Sequence, residues 1–516
     1  MTLTTTPAAS ATDHNLFTAL RAAFPTDLDS TAVETDSGLY YSWRDLDEAT
    51  AMLANLFAFL DLPAGTRVAV QVDKSVEALV LYLATLRAGL VYLPLNTAYQ
   101  SAEMEYFIGD AKPAVLVCAG RNFGWLSKMA FLAGTQYVFS LNDDRTGTLL
   151  ERAFTFARTH TPVPRAANDL AAIIYTSGTT GRSKGAMLSH GNLLSNARVL
   201  QKYWDWKAGD VLIHALPIFH VHGLFVAIHG ALINGSKMLW CAKFEPQTTL
   251  RMMARATVFM GVPTLYVRLL AEAGLNTQST RNMRLFISGS APMLVDTHRQ
   301  WQERTGHTIL ERYGMSETVM LTSNPCKSTD GERVVGTVGQ PLPGVQLRVR
   351  DEAGHDVKAG DTGGIEVKGP NVFQGYWQMP EKTAQEFTAD GFFKTGDVGH
   401  VDAKGYVTIV GRSKDLIISG GYNVYPAEIE GYINNLLGVD ESAVVGVPDA
   451  DFGEVGVAVV VPKAGHTVDG AQVVATLKSM LANFKVPKRC VVVEALPRNA
   501  MGKVQKNLLR EQYRAH

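Results

Sequence analysis

The 516-residue sequence has almost no net charge, few cysteines and no long unbroken apolar run. Each shortage excludes something. With 48 basic and 49 acidic residues the formal charge is −1, so the chain has no overall basic field of the kind that nucleic acid or anionic lipid selects. Small-molecule chemistry becomes the leading class. Cys118, Cys241, Cys326 and Cys490 show neither Cys-x-x-Cys spacing nor paired histidines nearby, which points to reduced thiols in the cytoplasm and argues against structural zinc. The most apolar window, Val76 to Leu95, is broken by Glu77, Arg87, Gly89 and Pro94; it reads as a buried helix ending near Gly89 followed by a strand, not as a membrane span. Met1 to Asp13 is rich in Thr and Ala but has no arginine and no apolar core. It fits neither a secretory signal nor a mitochondrial presequence, so residues 1–14 are expected to be a disordered lead and the protein cytoplasmic.

A chain of this length predicts two or more domains. Up to about residue 400, apolar runs such as Arg67–Val72, Ala114–Cys118, Val211–Leu216 and Leu285–Ser288 alternate with amphipathic stretches of helical length. That alternation implies crossover connections and largely parallel sheets, an α/β class. From Gly344 to Val410, short alternating segments separated by Gly and Asp turns predict a β-rich subdomain. After Gly411-Arg-Ser-Lys-Asp415 a compact unit begins, with helix signal at Pro426–Glu430 and strands at Ser442–Val447 and Val455–Val461. The expected division is a large domain over 15–412 and a small, mobile α+β lid over 413–516.

The segment Tyr175-Thr-Ser-Gly-Thr-Thr-Gly-Arg-Ser-Lys-Gly185 follows the apolar strand Leu170–Tyr175. Its glycines let the backbone turn tightly and point N–H groups inward, its hydroxyls add donors, and Arg182 and Lys184 add positive charge. Such a loop is suited to phosphate. It is not a Walker loop, which requires Gly-Lys-Ser/Thr at its end; here Lys184 is followed by Gly185.

Four further segments stand in order behind it: Glu311-Arg-Tyr-Gly-Met-Ser-Glu317, Lys394-Thr-Gly-Asp397, Gly411-Arg-Ser-Lys-Asp415 and Pro497-Arg-Asn-Ala-Met-Gly-Lys503. In sequence, order and spacing the set resembles the acyl-adenylate-forming superfamily of acyl-CoA synthetases, luciferases and adenylation domains, from about residue 15 to the C-terminus. The resemblance implies that a carboxylate attacks the α-phosphorus of ATP, giving acyl-AMP and pyrophosphate, after which the thiol of coenzyme A displaces AMP. It implies that Thr176, Ser177, Gly178, Thr179, Thr180, Gly181 and Lys184 hold the β- and γ-phosphates, and that Glu317 binds Mg²⁺ as a hard oxygen ligand. Tyr313 would face adenine opposite the wall Gly289-Ser290-Ala291, with Glu311, Arg312, Gly314, Met315 and Ser316 completing the nucleotide site. Asp397 would bridge the ribose hydroxyls with Arg412 beside it, and Lys503 would bring a cation to the incoming carboxylate and α-phosphate. Lys414 matches the hinge position, and Gly420 and Gly421 would let the pantetheine arm pass. Lys503, on an exposed loop, would also be open to a lysine acetyltransferase and deacetylase, whose modification would remove its charge.

For the acyl substrate, Phe219-His-Val-His-Gly223 is the form seen in malonyl-CoA synthetases, with His220 lining the acyl pocket. A dicarboxylate requires a second cation in the pocket. Arg268, in the helix that Pro263 starts, is the expected reader of the distal carboxylate, and Arg299 is a second candidate. The implied product is malonyl-CoA, with methylmalonyl-CoA open. Two other readings remain at this point: a synthetase for a short monocarboxylate, and a stand-alone adenylation enzyme. The chain ends about ten residues after Gln505, so in the second case the carrier would be a separate protein.

Overall fold

The computed structural model describes residues 13–176, 183–419, 422–449, 452–481, 483–499 and 502–514. Asp13 and His14 are already tied to the body: Asn15 N donates to Asp13 Oδ1 at 2.9 Å and His14 N to the Arg165 carbonyl at 2.9 Å. Among the described residues the strands form four sheets.

The largest sheet runs, edge to edge, Gln340–Pro341, Val319–Ser323, Leu310–Met315, Leu285–Ser288, Val258–Gly261, Val211–His214, Lys237–Trp240, Thr31–Thr35 and Tyr40–Ser42. From Leu310–Met315 to Thr31–Thr35 every neighbouring pair is parallel. A second sheet orders Tyr137–Ser140, Val115–Cys118, Arg67–Gln71, Val91–Pro94, Leu170–Thr176 and Lys184–Ser189. It is parallel except for its last pair. Parallel strands require crossovers that cover both faces, which is why these runs are nearly all apolar.

The helix Val76–Arg87 shows how the crossovers are built. The Ser75 side chain accepts from Ala78 N at its start, and Gly89, at φ 69°, turns the chain into Val91–Pro94. Val76 and every residue from Ala78 to Arg87 are buried, and each fully buried leucine there contributes about 2 kcal/mol. Arg87 is tolerated because its guanidinium donates to Asp47 Oδ1 at 2.9 Å and to the His160 carbonyl at 3.1 Å.

The predicted β-rich region is an antiparallel sheet of Gln346–Arg350, Gly363–Lys368, Phe393–Val401 and Val407–Arg412. Beyond the turn Ser413–Asp415 lies another sheet, of Tyr422–Val424, Ile417–Ser419, Gly453–Pro462 and Val439–Asp449, with Arg489–Val492 added in parallel. It has its own core, including Ile429, Ile433, Val444, Val460 and Leu477. The α/β class, parallel-rich in a large N-terminal part with a smaller C-terminal part, is the expected one. His214, Trp240, Gly261 and Ser288 end parallel strands of the largest sheet, and the carboxyl ends of such strands are where this architecture places ligands.

Candidate active site

The candidate phosphate loop joins two antiparallel strands, with Thr176 paired to Lys184 in register and Thr176 Oγ1 donating to the Lys184 carbonyl at 3.4 Å. Ser177, Gly178, Thr179, Thr180 and Gly181 lie outside the described residues. Lys184 Nζ sits 4.2 Å from the centre of the Tyr376 ring and 3.8 Å from Glu386 Oε1. Tyr376 in turn donates its hydroxyl to Glu317 Oε1 at 2.9 Å. Glu317 is buried, and burial raises its carboxyl pKa, so the carboxylate is held where a cation would relieve a cost not fully offset. Among the described residues no cluster of three or more His, Cys, Asp or Glu is placed to hold a metal. The turn carrying Glu317 is strained: Val319, β-branched, has φ 55°, and a β-carbon at Gly314 would collide with the Val319 carbonyl. Such strain persists only where surrounding contacts impose it. Met315 and Ser316 lie half-buried in this turn.

Tyr313, Asp397 and Arg412, far apart in sequence, meet in one cluster. The Tyr313 hydroxyl donates to Asp397 Oδ2, and Arg412 Nε lies 3.1 Å from Asp397 Oδ1. Burial and then Asp397 raise the tyrosine pKa, so Tyr313 stays a neutral donor. Ser290 and Ala291 form an exposed bend in which Ser290 has φ 73°. Glu311 is turned to other work: His298 Nε2 lies 2.7 Å from its Oε1, and Met293 N donates to Oε2 at 3.4 Å.

A third cluster gathers at the ends of the parallel strands. His220 is half-buried, and burial lowers its pKa to about 4, so it is neutral at physiological pH. His222 is buried and pushed well below its ordinary value by burial and by Arg312; its Nδ1 lies 3.4 Å from Ser290 Oγ. Arg312 is buried, its Nε and Nη2 have no hydrogen-bond partner among the described residues, and burial lowers its pKa to about 9. Among the described residues His222 Nε2 and Ser288 Oγ are also buried without partners. A buried guanidinium without a carboxylate is rare and costly. The histidines are fixed by a wide, π-helical coil over His222–Ile228, packed so closely that a β-carbon at Gly223 would collide with the Pro217 carbonyl.

The two arginines expected to read the second carboxylate are both exposed. Arg268 is exposed on the helix Pro263–Leu270 and stacks over Phe244 at 4.8 Å. Arg299 is exposed and paired with Asp296 at 2.5 Å and Glu303 at 2.8 Å.

Lys503 is exposed, yet its amine is crowded by surrounding protein, which with Arg412 lowers its pKa to about 8. Asp397, Lys414 and Asp415 also act on it electrostatically. Gly502 faces Thr264 of the large part, whose side chain would lie 3.8 Å from a β-carbon there. Lys414 is exposed in the turn Ser413–Asp415, while Gly420 and Gly421 lie outside the described residues.

The chain is matched by known proteins. Residues 20–377 match the AMP-binding enzyme family, and residues 428–503 match the AMP-binding enzyme C-terminal domain. The chain belongs to the AMP-binding enzyme family. Within that family it is 33% identical to a malonate–CoA ligase of Arabidopsis thaliana, the match covering 96% of this chain and 89% of that one. It superposes on ATP-bound MatB from Rhodopseudomonas palustris with a TM-score of 0.94 and 54% identity, covering 98% of this chain and 99% of that one. The apo form of MatB, also 54% identical with the same coverage, gives a TM-score of 0.84. The present arrangement therefore overlaps the ATP-bound form more fully.

For an AMP-binding enzyme of this kind, sequence reasoning missed two groups, Tyr376 and His222, and gave a third, Arg312, to the nucleotide alone. Tyr376 and His222 carried weak signals, an aromatic in a Gly-Tyr-Trp run and a histidine two residues after His220. Arg312 stood inside the nucleotide motif, and its position there concealed that its side chain is buried beside His222.

Proposed function

We propose that this chain is an AMP-forming acid–thiol ligase that makes malonyl-CoA from malonate, coenzyme A and ATP through malonyl-AMP. The observation that carries the dicarboxylate reading is Arg312, a buried guanidinium with unpartnered Nε and Nη2 and with His222 beside it. Among the described residues Arg312 Nε and Nη2, His222 Nε2 and Ser288 Oγ are buried without hydrogen-bond partners, and this reading gives Arg312 an anion as its missing acceptor. The distal carboxylate of malonate supplies it.

In this reading the proximal carboxylate oxygen attacks the α-phosphorus and pyrophosphate leaves. Lys503 lies at the cleft with its charge available to both anions; a cation at contact distance contributes about 4 kcal/mol at an effective dielectric near 20, roughly a thousandfold in rate. Asp397 and Tyr313 hold the ribose and adenine, and Lys184 with the loop from Thr176 holds the outer phosphates. Glu317 would hold Mg²⁺, which would supply neutralisation of phosphate charge. The coenzyme A thiol then attacks the acyl carbon and AMP leaves. Residues 15–412 act as the nucleotide and acyl domain and 413–516 as a lid pivoting at Lys414, with Gly420 and Gly421 beside the pantetheine arm. The exposure of Lys503 also opens it to an acetyltransferase and deacetylase, and acetylation would stop adenylation. A cytoplasmic setting accords with four free cysteines.

The test is a panel of malonate, methylmalonate, succinate, acetate and propionate, scored for coenzyme A thioester. Malonate is expected to exceed propionate by at least about 100-fold in kcat/KM, the value of one satisfied buried charge. Preference for a monocarboxylate, or transfer to a carrier protein but not to coenzyme A, would replace this reading.

A further inference from the structure

The last helix, Lys506–Tyr513, begins three residues after Lys503 and returns to the hinge turn. Arg510 Nη2 donates to Asp415 Oδ1 at 2.5 Å, and Asp415 is the residue next to Lys414. The helix is clamped at its other end as well. Lys506 Nζ lies 2.6 Å from Glu430 Oε1, and that oxygen also accepts from Val444 N at 2.7 Å. Leu509 and Tyr513 bury the helix's apolar face in the lid core.

The Lys503 loop is bound to the start of this helix by backbone. Gln505 N donates to the Pro497 carbonyl at 2.8 Å, Asn499 N to the Lys503 carbonyl at 2.9 Å, and Lys503 N to Asn499 Oδ1 at 3.0 Å. Loop and helix thus form one short rod. Lys503 lies just before the helix, and Arg510, in its middle, grips the residue beside the pivot.

We propose that Arg510 is a positioning residue for adenylation: its ion pair with Asp415 fixes the distance between the pivot and Lys503, and keeps the Asp415 carboxylate from capturing the Lys503 amine. The second part follows from Asp415 already acting on Lys503 electrostatically while its oxygen is held by Arg510. Both members of the pair lie on the lid side of Lys414, so the pair travels intact with the lid. Its loss therefore strikes the step that uses Lys503, not the step in which coenzyme A attacks a finished adenylate.

This inference rests on Lys503 acting in adenylation, so both half-reactions are measured in Arg510→Gln, Arg510→Lys, the exchange pair Asp415→Arg with Arg510→Asp, and Lys503→Ala. Arg510→Gln should lower pyrophosphate release with malonate and ATP about tenfold, while thioester formation from synthetic malonyl-AMP stays within about twofold. Arg510→Lys should fall less, and the exchange pair should recover most of the loss. If Lys503→Ala separates the half-reactions but the Arg510 variants lower both alike, or the exchange pair recovers nothing, the positioning role is wrong. If Lys503→Ala itself fails to separate them, the underlying reading of Lys503 falls first. Should Arg510→Gln not fold, the ratio of half-reactions in Arg510→Lys decides, and an unchanged ratio there overturns the proposal.

Discussion

Gly289 lies directly against the Arg312 guanidinium, so close that a β-carbon at 289 would overlap its Cζ, Nη1 and Nε. The glycine is therefore needed for space and not for backbone freedom. Gly289→Ala should push the guanidinium out of its place at the strand ends, with a cost of about 1–3 kcal/mol from overpacking. The expected result is a loss of about tenfold in kcat/KM for malonate with the KM for ATP changed far less. Equal loss for malonate and ATP would mean that the substitution had disturbed the adenine wall instead.

Arg312 should show a trade of stability for function. Removing it leaves the distal carboxylate of malonate without its cation, a loss of about 2–5 kcal/mol in binding the transition state. Arg312→Met should therefore cut malonate turnover at least about 100-fold and spare propionate. The same substitution removes a buried charge whose Nε and Nη2 have no partner among the described residues, and Tm should rise by roughly 1–3 °C. Arg268→Ala and Arg299→Ala serve as comparisons, since one guanidinium stacks on Phe244 and the other is paired with Asp296 and Glu303. Malonate kinetics damaged by Arg268→Ala and untouched by Arg312→Met would return the carboxylate to Arg268.

The contrast between these arginines shows what was legible in the sequence. The parallel architecture and the strand that ends at Thr176 were readable, because short-range pattern carries them; the contact of Tyr313 with Asp397 was not, because it joins two distant motifs. Arg268 was expected inside an apolar stretch, and the structure shows it exposed. Tyr266 and Leu269, three apart, form the buried face, and the helix's period puts Arg268 outside it. Arg312 was hidden for the opposite reason. Its burial depends on Gly289, a residue 23 positions earlier on the neighbouring strand's end, and no local pattern records that contact.

The pH profile of adenylation should report Lys503. An amine whose pKa is lowered to about 8 is cationic below that pH and neutral above it. Because the cationic form is the one required, kcat/KM for pyrophosphate release should fall above pH 8, approaching about tenfold per pH unit. His220, lowered to about 4, is neutral above pH 5 and should add no acidic limb between pH 5 and 7. Lys503→Arg should move the alkaline limb beyond the measurable range while lowering the plateau. An alkaline limb at the same pH in that variant would assign it to another group.

The central claim, that the acyl group passes through a mixed anhydride with AMP, is tested most directly with malonate labelled with ¹⁸O in its carboxylates. The oxygen that attacks the α-phosphorus stays on phosphorus when coenzyme A takes the acyl group. Mass spectrometry of the products should therefore find one ¹⁸O in AMP and none in pyrophosphate. Label appearing in inorganic phosphate alongside ADP, or AMP formed without label, would contradict the account.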